Sequence, residues 1–167
     1  MNANVKVGEE FRLNMRIKSA QDAYSAMCQL IYPSDAIELV VNPVGAKPEV
    51  EKGDFFGAST EMLVTHTIDP PQNVGTLMVV LSKTGNQDGE IGEGTLCTVQ
   101  ARAAKAGEYA LTWGSNSSVL DENQKELENR FDPLTIQIAG EAMAKTEMNV
   151  VYLTVEPVET EDDDSST

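Results

Sequence analysis

The chain is poor in aromatic residues, in cations, in histidine and in cysteine. Aromatics make up 5% of its 167 residues, so aliphatic side chains must fill whatever core it builds. Lys and Arg number 12 against 27 Asp and Glu, a net charge of -15. Such a molecule repels nucleic acid and anionic membrane instead of being steered to them. A basic partner or a cation is easier to accommodate. No apolar run approaches the ~18 residues of a membrane span. Met1-Asn2-Ala3-Asn4 lacks the basic start and apolar segment of a signal peptide. The expectation is a protein that stays inside the cell or capsid, or a mature form given a new Met1. Cys28 and Cys97 are too few for a disulfide framework. Both sit in apparent strands and read first as buried thiols acting as small apolar residues. A single bridge across the core stays open and needs Cα atoms within about 7 Å.

Catalytic patterns are missing too. His66 stands alone in a strand, where a histidine is usually structural. There is no CxxC or HExxH pattern, and no Gly-rich loop joins a strand to a helix. Gly85, Gly89, Gly92 and Gly94 are spaced for turns. Ser115-Asn116-Ser117 has no histidine partner for a triad. Acidic pairs are abundant by composition, so none marks a glycosidase site. Asp121-Glu122-Asn123 offers oxygen ligands without the ordered spacing of a calcium loop. Tyr109 and Trp113 share strand parity and stand nearly alone, which favours burial over a sugar-stacking strip. The reading is non-enzymatic, with no cofactor.

What is present is strand pattern. A hydrophobic content of 41% is enough for one core, and the length suits one domain. Phe11 to Lys18 alternates apolar and polar without a break, the period of a half-buried strand. Ser19 to Asp22 reads as a polar connection. Ala23 to Tyr32 and Ala36 to Val41 read as strands around a Tyr32-Pro33-Ser34-Asp35 turn. Lys47 to Gly53 reads as a loop. Met62 to Ile68, Val74 to Leu81, Thr95 to Ala103, Glu108 to Trp113 and Leu134 to Ile138 are further strands. Pro70 and Pro71 break the chain between two of them, because they remove ladder donors. Asp121 to Glu128 and Gly140 to Met148 allow short helical turns. Asn149 to Val155 reads as a last strand, stopped by Pro157. Glu156, Glu159, Glu161, Asp162, Asp163 and Asp164 read as a solvated tail. Short strands at regular spacing with Gly and Pro turns predict an all-β sandwich. There is no room for the crossovers of a βαβ fold.

Two strands break the rule of one solvated face. Met27 and Ile31 are apolar opposite the Ala26, Cys28, Leu30 and Tyr32 side. Leu77-Met78-Val79-Val80-Leu81 is apolar on both sides as well. A strand with one wet face alternates, so the second face of each is covered by another part of the chain or by another protein.

The order of these blocks resembles the bacterial cohesin module. That module is the dockerin-receiving domain of cellulosome scaffoldins, found also in non-cellulosomal bacteria and archaea, and is unrelated to chromosome cohesin. The resemblance rests on Val5 to Phe11, Tyr32 to Val41, Gly75 to Lys83, Gly94 to Ala101, Gly107 to Leu111 and Leu120 to Asn123. It implies a nine-stranded antiparallel β-sandwich with jelly-roll topology over residues 4–139. An extension with an extra strand (residues 140–156) and the acidic tail (residues 157–167) would follow. The resemblance implies a dockerin surface on the outer face of the sheet built from the third, fifth, sixth and eighth strands. On the third strand the outward positions fall on Ser25, Met27, Gln29 and Ile31. On the sixth they fall on Met78, Val80, Ser82 and Lys83. Calcium, if involved, would belong to the dockerin-like partner, and the place would be extracellular or at the cell surface.

Two other readings fit the same residues. One is a structural subunit, a virion decoration or filament protein, with Asn149 to Val155 adding to a neighbour's sheet edge. The other is a carbohydrate-binding module that depends on an exposed Trp113.

Overall fold

The computed structural model describes residues 2–42, 47–85, 87–140 and Val158. The alternating runs become strands. In chain order these are β1 (Asn2–Lys6), β2 (Glu10–Ala23), β3 (Ser25–Pro33), β4 (Ile37–Leu39), β5 (Val41–Asn42), β6 (Lys47–Pro48) and β7 (Val50–Lys52). Then come β8 (Thr60–Asp69), β9 (Val74–Lys83), β10 (Glu90–Ala103), β11 (Gly107–Trp113), β12 (Ser118–Leu120) and β13 (Leu134–Ala139). No helix occurs among the described residues.

Two main sheets face each other, the all-β sandwich the pattern predicts. One has seven strands in the order β1-β13-β11-β3-β9-β8, with β12 also on β3. The other has four, β2-β10-β4, with β7 also on β10. β5 and β6 form a small ribbon. Pairing is antiparallel except between β1 and β13, which run parallel. The inner faces carry the aliphatic core that scarce aromatics demand. β3 contributes Ala26, Cys28, Leu30 and Tyr32; β9 contributes Leu77, Val79 and Leu81. Phe11, Leu13 and Met15 of β2 meet them from the other sheet with Val99 and Ala101 of β10.

Three local expectations are corrected. Ser19 to Asp22 is not a connection but the end of β2. Ser19 (φ 58°) and Asp22 (φ 63°) are left-handed, and β2 takes three steps from Ala20 to Ala23 where β10 takes two from Gly92 to Glu90. The polar cluster marks bulges, which absorb an extra residue without ending the strand. Tyr24 makes the true break, bonding Leu120 O through its N–H and accepting Lys83 N–H at its carbonyl. Lys47 to Gly53 holds β6 and β7, and Asp121 to Glu128 is a turn bridged from Leu120 to Glu126 instead of a helix. Asp121 Oδ1 accepts the N–H groups of Asn123 and Lys125, both at 2.9 Å, which favours the turn over helical bonding. The other helical candidate beyond Gly140, the strand Asn149 to Val155 and the acidic tail lie outside the described residues.

Candidate functional site

Inward burial on β3 and β9 sends their other side chains outward. Ser25, Met27, Gln29 and Ile31 are half-buried on the outer face of the seven-stranded sheet. So are Thr76, Met78, Val80 and Ser82 on β9. The register sets them in rows across three strands. Ser25, Ser82 and Glu61 form one row. Met27, Val80 and Leu63 form the next, followed by Gln29, Met78 and Thr65, then Ile31, Thr76 and Thr67. Neighbouring strands lie about 4.8 Å apart, so each row is a run of touching side chains. The second row is apolar from end to end; Met78 adjoins it in the third row, and Ile31 lies diagonal to Met78 in the fourth.

Lys83 does not belong to this face. Side chains alternate along a strand, so Ser82 and Lys83 cannot both point outward. Lys83 is 6% exposed, and its ammonium pairs with the Glu90 carboxylate. The pairing lets a cation sit at the inner side of the strand end, where an unpaired one would be costly. Gln29 is on the face but already engaged. Its Oε1 accepts the Asn116 N–H at 3.1 Å, and its backbone carbonyl accepts Gly114 N–H at 2.8 Å. A Cβ on Gly114 would stand 2.0 Å from Gln29 Oε1, so a side chain there would push the Gln29 amide out of this place. Gln29 therefore clamps the turn between β11 and β12 at the border of the face.

Sequence reasoning missed Leu63. It is 64% exposed, the second most exposed large apolar side chain described. Its signal was present in Met62-Leu63-Val64, an apolar run like those of β3 and β9. With no polar residue among the three, the run does not say which member faces out. The register of β8 on β9 decides it, placing Leu63 opposite Val80. Thr76 was missed for a simpler reason: its strand partner Ile31 is apolar and it is not.

Beneath the face lie the groups that composition singled out. His66 Nε2 and Tyr32 Oη stand 2.6 Å apart, with the rings stacked at 6.1 Å. Burial lowers the His66 pKa and pushes the Tyr32 hydroxyl up to about 12. A neutral histidine bonded to a core tyrosine is a structural pair. Cys28 and Cys97 are both free and buried. Burial raises both thiols, Cys28 to about 12, so neither is a nucleophile at neutral pH. Trp113 packs edge-on against Phe131 at 5.3 Å and donates Nε1–H to Asp132 O at 2.7 Å. Its ring is held by the chain's own residues instead of lying flat on the surface. Among the described residues, no three of His, Cys, Asp and Glu are grouped to hold a metal ion.

No family model matches the sequence, and no curated protein matches it. Solved structures do. A non-cellulosomal cohesin from the hyperthermophilic archaeon Archaeoglobus fulgidus superposes with a TM-score of 0.61 at 19% identity, over 86% of this chain and 90% of that one. The fold is cohesin-like. A type II cohesin domain from the cellulosome of Acetivibrio cellulolyticus matches with a TM-score of 0.61 at 12% identity, over 81% and 90%. A cohesin from a type I cohesin–dockerin complex of Clostridium thermocellum matches with a TM-score of 0.60 at 16% identity, over 83% and 90%. The cohesin-like fold thus survives where little sequence is shared, because alternation and turn chemistry specify a sandwich that many side chains can fill.

Proposed function

We propose that this protein is a non-catalytic binding module that receives a dockerin-like protein on the outer face of its seven-stranded sheet. The observation that carries the reading is the row Met27, Val80 and Leu63, an apolar strip across three strands of an acidic chain. Isolated surface apolar residues are ordinary, whereas a contiguous strip rimmed by polar groups marks an interaction surface. Ser25, Ser82, Thr65 and Thr67 supply that rim, where polar groups set register more than affinity. The two methionines adapt their shape to a partner. Calcium, where it takes part, sits on the partner. The place that goes with this reading is outside the cell or on its surface.

Leu63→Asp tests it with little risk to the fold, because Leu63 is mostly exposed. A central apolar anchor is worth about 2 kcal/mol, roughly thirtyfold in Kd. Leu63→Asp should weaken capture of a calcium-loaded dockerin by that order, and Met27→Asp with Val80→Asp should abolish it. Unchanged circular dichroism with lost binding supports the reading; retained binding in the double variant sinks it.

A second reading, self-assembly as a structural subunit, is favoured by one feature. Among the described residues β8 is the last strand of its sheet, ten residues long, with Leu63 and Ile68 exposed along it. A long edge of this kind templates pairing with another chain.

A further inference from the structure

Between Trp113 and Ser118 the chain leaves its ladder on β3. Trp113 pairs with Leu30 and Ser118 with Met27. Between those pairs β3 has two residues, Cys28 and Gln29, where the other side has four, Gly114 to Ser117. The surplus folds into a turn closed by Ser117 N–H on Gly114 O at 3.1 Å. Gln29 holds this turn in three ways. Its backbone carbonyl accepts Gly114 N–H at 2.8 Å, its N–H donates to Ser117 Oγ at 3.0 Å, and its Oε1 accepts Asn116 N–H at 3.1 Å. Gly114 shares the outward parity of exposed Thr112, and the Gln29 amide lies where its Cβ would be. The amide therefore crosses over Gly114 on the outer side of the sheet, and the Asn116 N–H that it reaches lies on that side too.

We infer, resting on the docking reading of the apolar face, that Ser115 and Asn116 form a polar ledge of that docking surface and that Gln29 is the positioning residue that holds the ledge ready before a partner arrives. Gln29 is two positions from Met27 on β3, about 7 Å. The ledge thus stands where the strip of Met27, Val80 and Leu63 ends on the β3 side. Three side chains cover far less than the about 800 Å² per partner of a stable interface. A partner seated on the strip must reach past it, and in this direction the ledge is what it meets.

The chemistry of the ledge makes it selective. Ser115 and Asn116 are exposed, and neither side chain has a partner among the described residues. A hydroxyl and an amide each donate and accept. A partner that carries amide or hydroxyl groups beside its apolar anchors satisfies them. One that carries only apolar side chains there strips off their water and leaves them unpaired, which is costly. The ledge therefore sorts partners of equal apolar fit. Holding it in place matters as well, because a turn ordered beforehand loses less freedom on binding. The hold needs only an acceptor at the end of the residue 29 side chain, since the group it fixes is a backbone N–H.

Amide exchange and a titration with a calcium-loaded dockerin, both followed by NMR on the full chain, test this. In the free protein the Asn116 amide should exchange slowly. Gln29→Met keeps the length but removes the acceptor, and should speed that exchange about tenfold or more. β9, paired on both sides, should stay protected and report an intact sheet. Gln29→Glu keeps an acceptor and should leave the Asn116 amide slow. When the dockerin is added, the Ser115 and Asn116 amide signals should move together with those of Met27 and Val80. Gln29→Met should raise the off-rate about three- to tenfold. Gln29→Glu should restore it, its added charge acting on the on-rate. An Asn116 amide as fast in the native protein as in Gln29→Met, or an off-rate as high in Gln29→Glu as in Gln29→Met, overturns the positioning role. Strip signals that move while Ser115 and Asn116 stay still overturn the ledge and leave the docking reading standing. A dockerin that moves none of them overturns the docking reading, and the ledge with it.

Discussion

At the scale of single residues, His66 and Tyr32 couple the core to pH. With its proton on Nδ1, the neutral imidazole accepts the Tyr32 hydroxyl at Nε2. Burial lowers the histidine pKa below 6.5, so the unfolded chain takes up this proton at a higher pH than the folded one. Stability from this group is complete above pH 6.5 and is lost as pH falls through the folded value. Thermal melts of the native protein should therefore drop as pH falls below about 6.5, and His66→Gln should flatten that part of the profile. A profile with the same slope in the variant would assign the loss to carboxylates. Tyr32 also constrains its neighbour across β9. A Cβ at Gly75 would stand 2.2 Å from the Tyr32 ring, so Gly75→Ala must push the ring off His66. Overpacking of this kind costs about 1–3 kcal/mol, measured as a shift in the urea midpoint. The two thiols give a second reading of core integrity. Cys28 and Cys97 are 1% and 0% exposed. A thiol reagent should label neither in the native state and both in denaturant; native labelling at the rate of a free thiol would show that the core opens locally.

At the scale of elements, the strands of the sandwich were legible where one face is wet. Phe11 to Lys18 announces β2 by strict alternation, and Tyr32-Pro33-Ser34-Asp35 announces the end of β3. What stayed illegible depends on partners far along the chain. The parallel pairing of β1 with β13 joins Asn2 to Thr135, and no local pattern encodes it. Bulges hide in the same way, because the polar run Ser19 to Asp22 looks like a turn until β10 is laid beside it. The candidate face was half legible. Met27, Ile31, Met78 and Val80 stood out as apolar on the wrong side of a strand. Lys83 was placed there by the resemblance, against the alternation that turns it inward once Ser82 faces out. Its true position carries a prediction for the junction of β9 and β10. Glu90→Gln leaves the Lys83 ammonium largely buried without its counter-charge and should destabilise the fold by about 2 kcal/mol. Lys83→Met with Glu90→Gln removes both charges and should recover most of that loss. A double-mutant cycle of urea midpoints measures it, and simple additivity would show that the pair is not coupled.

At the scale of the whole molecule, charge separates the two readings, a partner on the apolar face and assembly between copies along the neighbouring β8 edge. The chain carries -15, yet the strip Met27, Val80 and Leu63 is neutral and its rim holds hydroxyls more than carboxylates. Two copies brought edge to edge therefore repel at long range and attract only on contact. Salt shortens the reach of that repulsion from about 30 Å at 0.01 M to about 8 Å at physiological strength, so self-assembly should strengthen as salt rises. A partner with a basic rim meets the opposite field. Its association is steered by the acidic surface, and its on-rate should fall as salt rises while the off-rate, set by the apolar contacts, changes little. Light scattering of the protein alone and surface-based kinetics with a dockerin, each from 0.02 to 0.5 M salt on the order of a few steps apart, read the two signs separately. A monomer at every salt concentration together with an on-rate that falls with salt selects the binding module. Mass that grows with salt, and that Leu63→Asp prevents, selects assembly between copies of this chain.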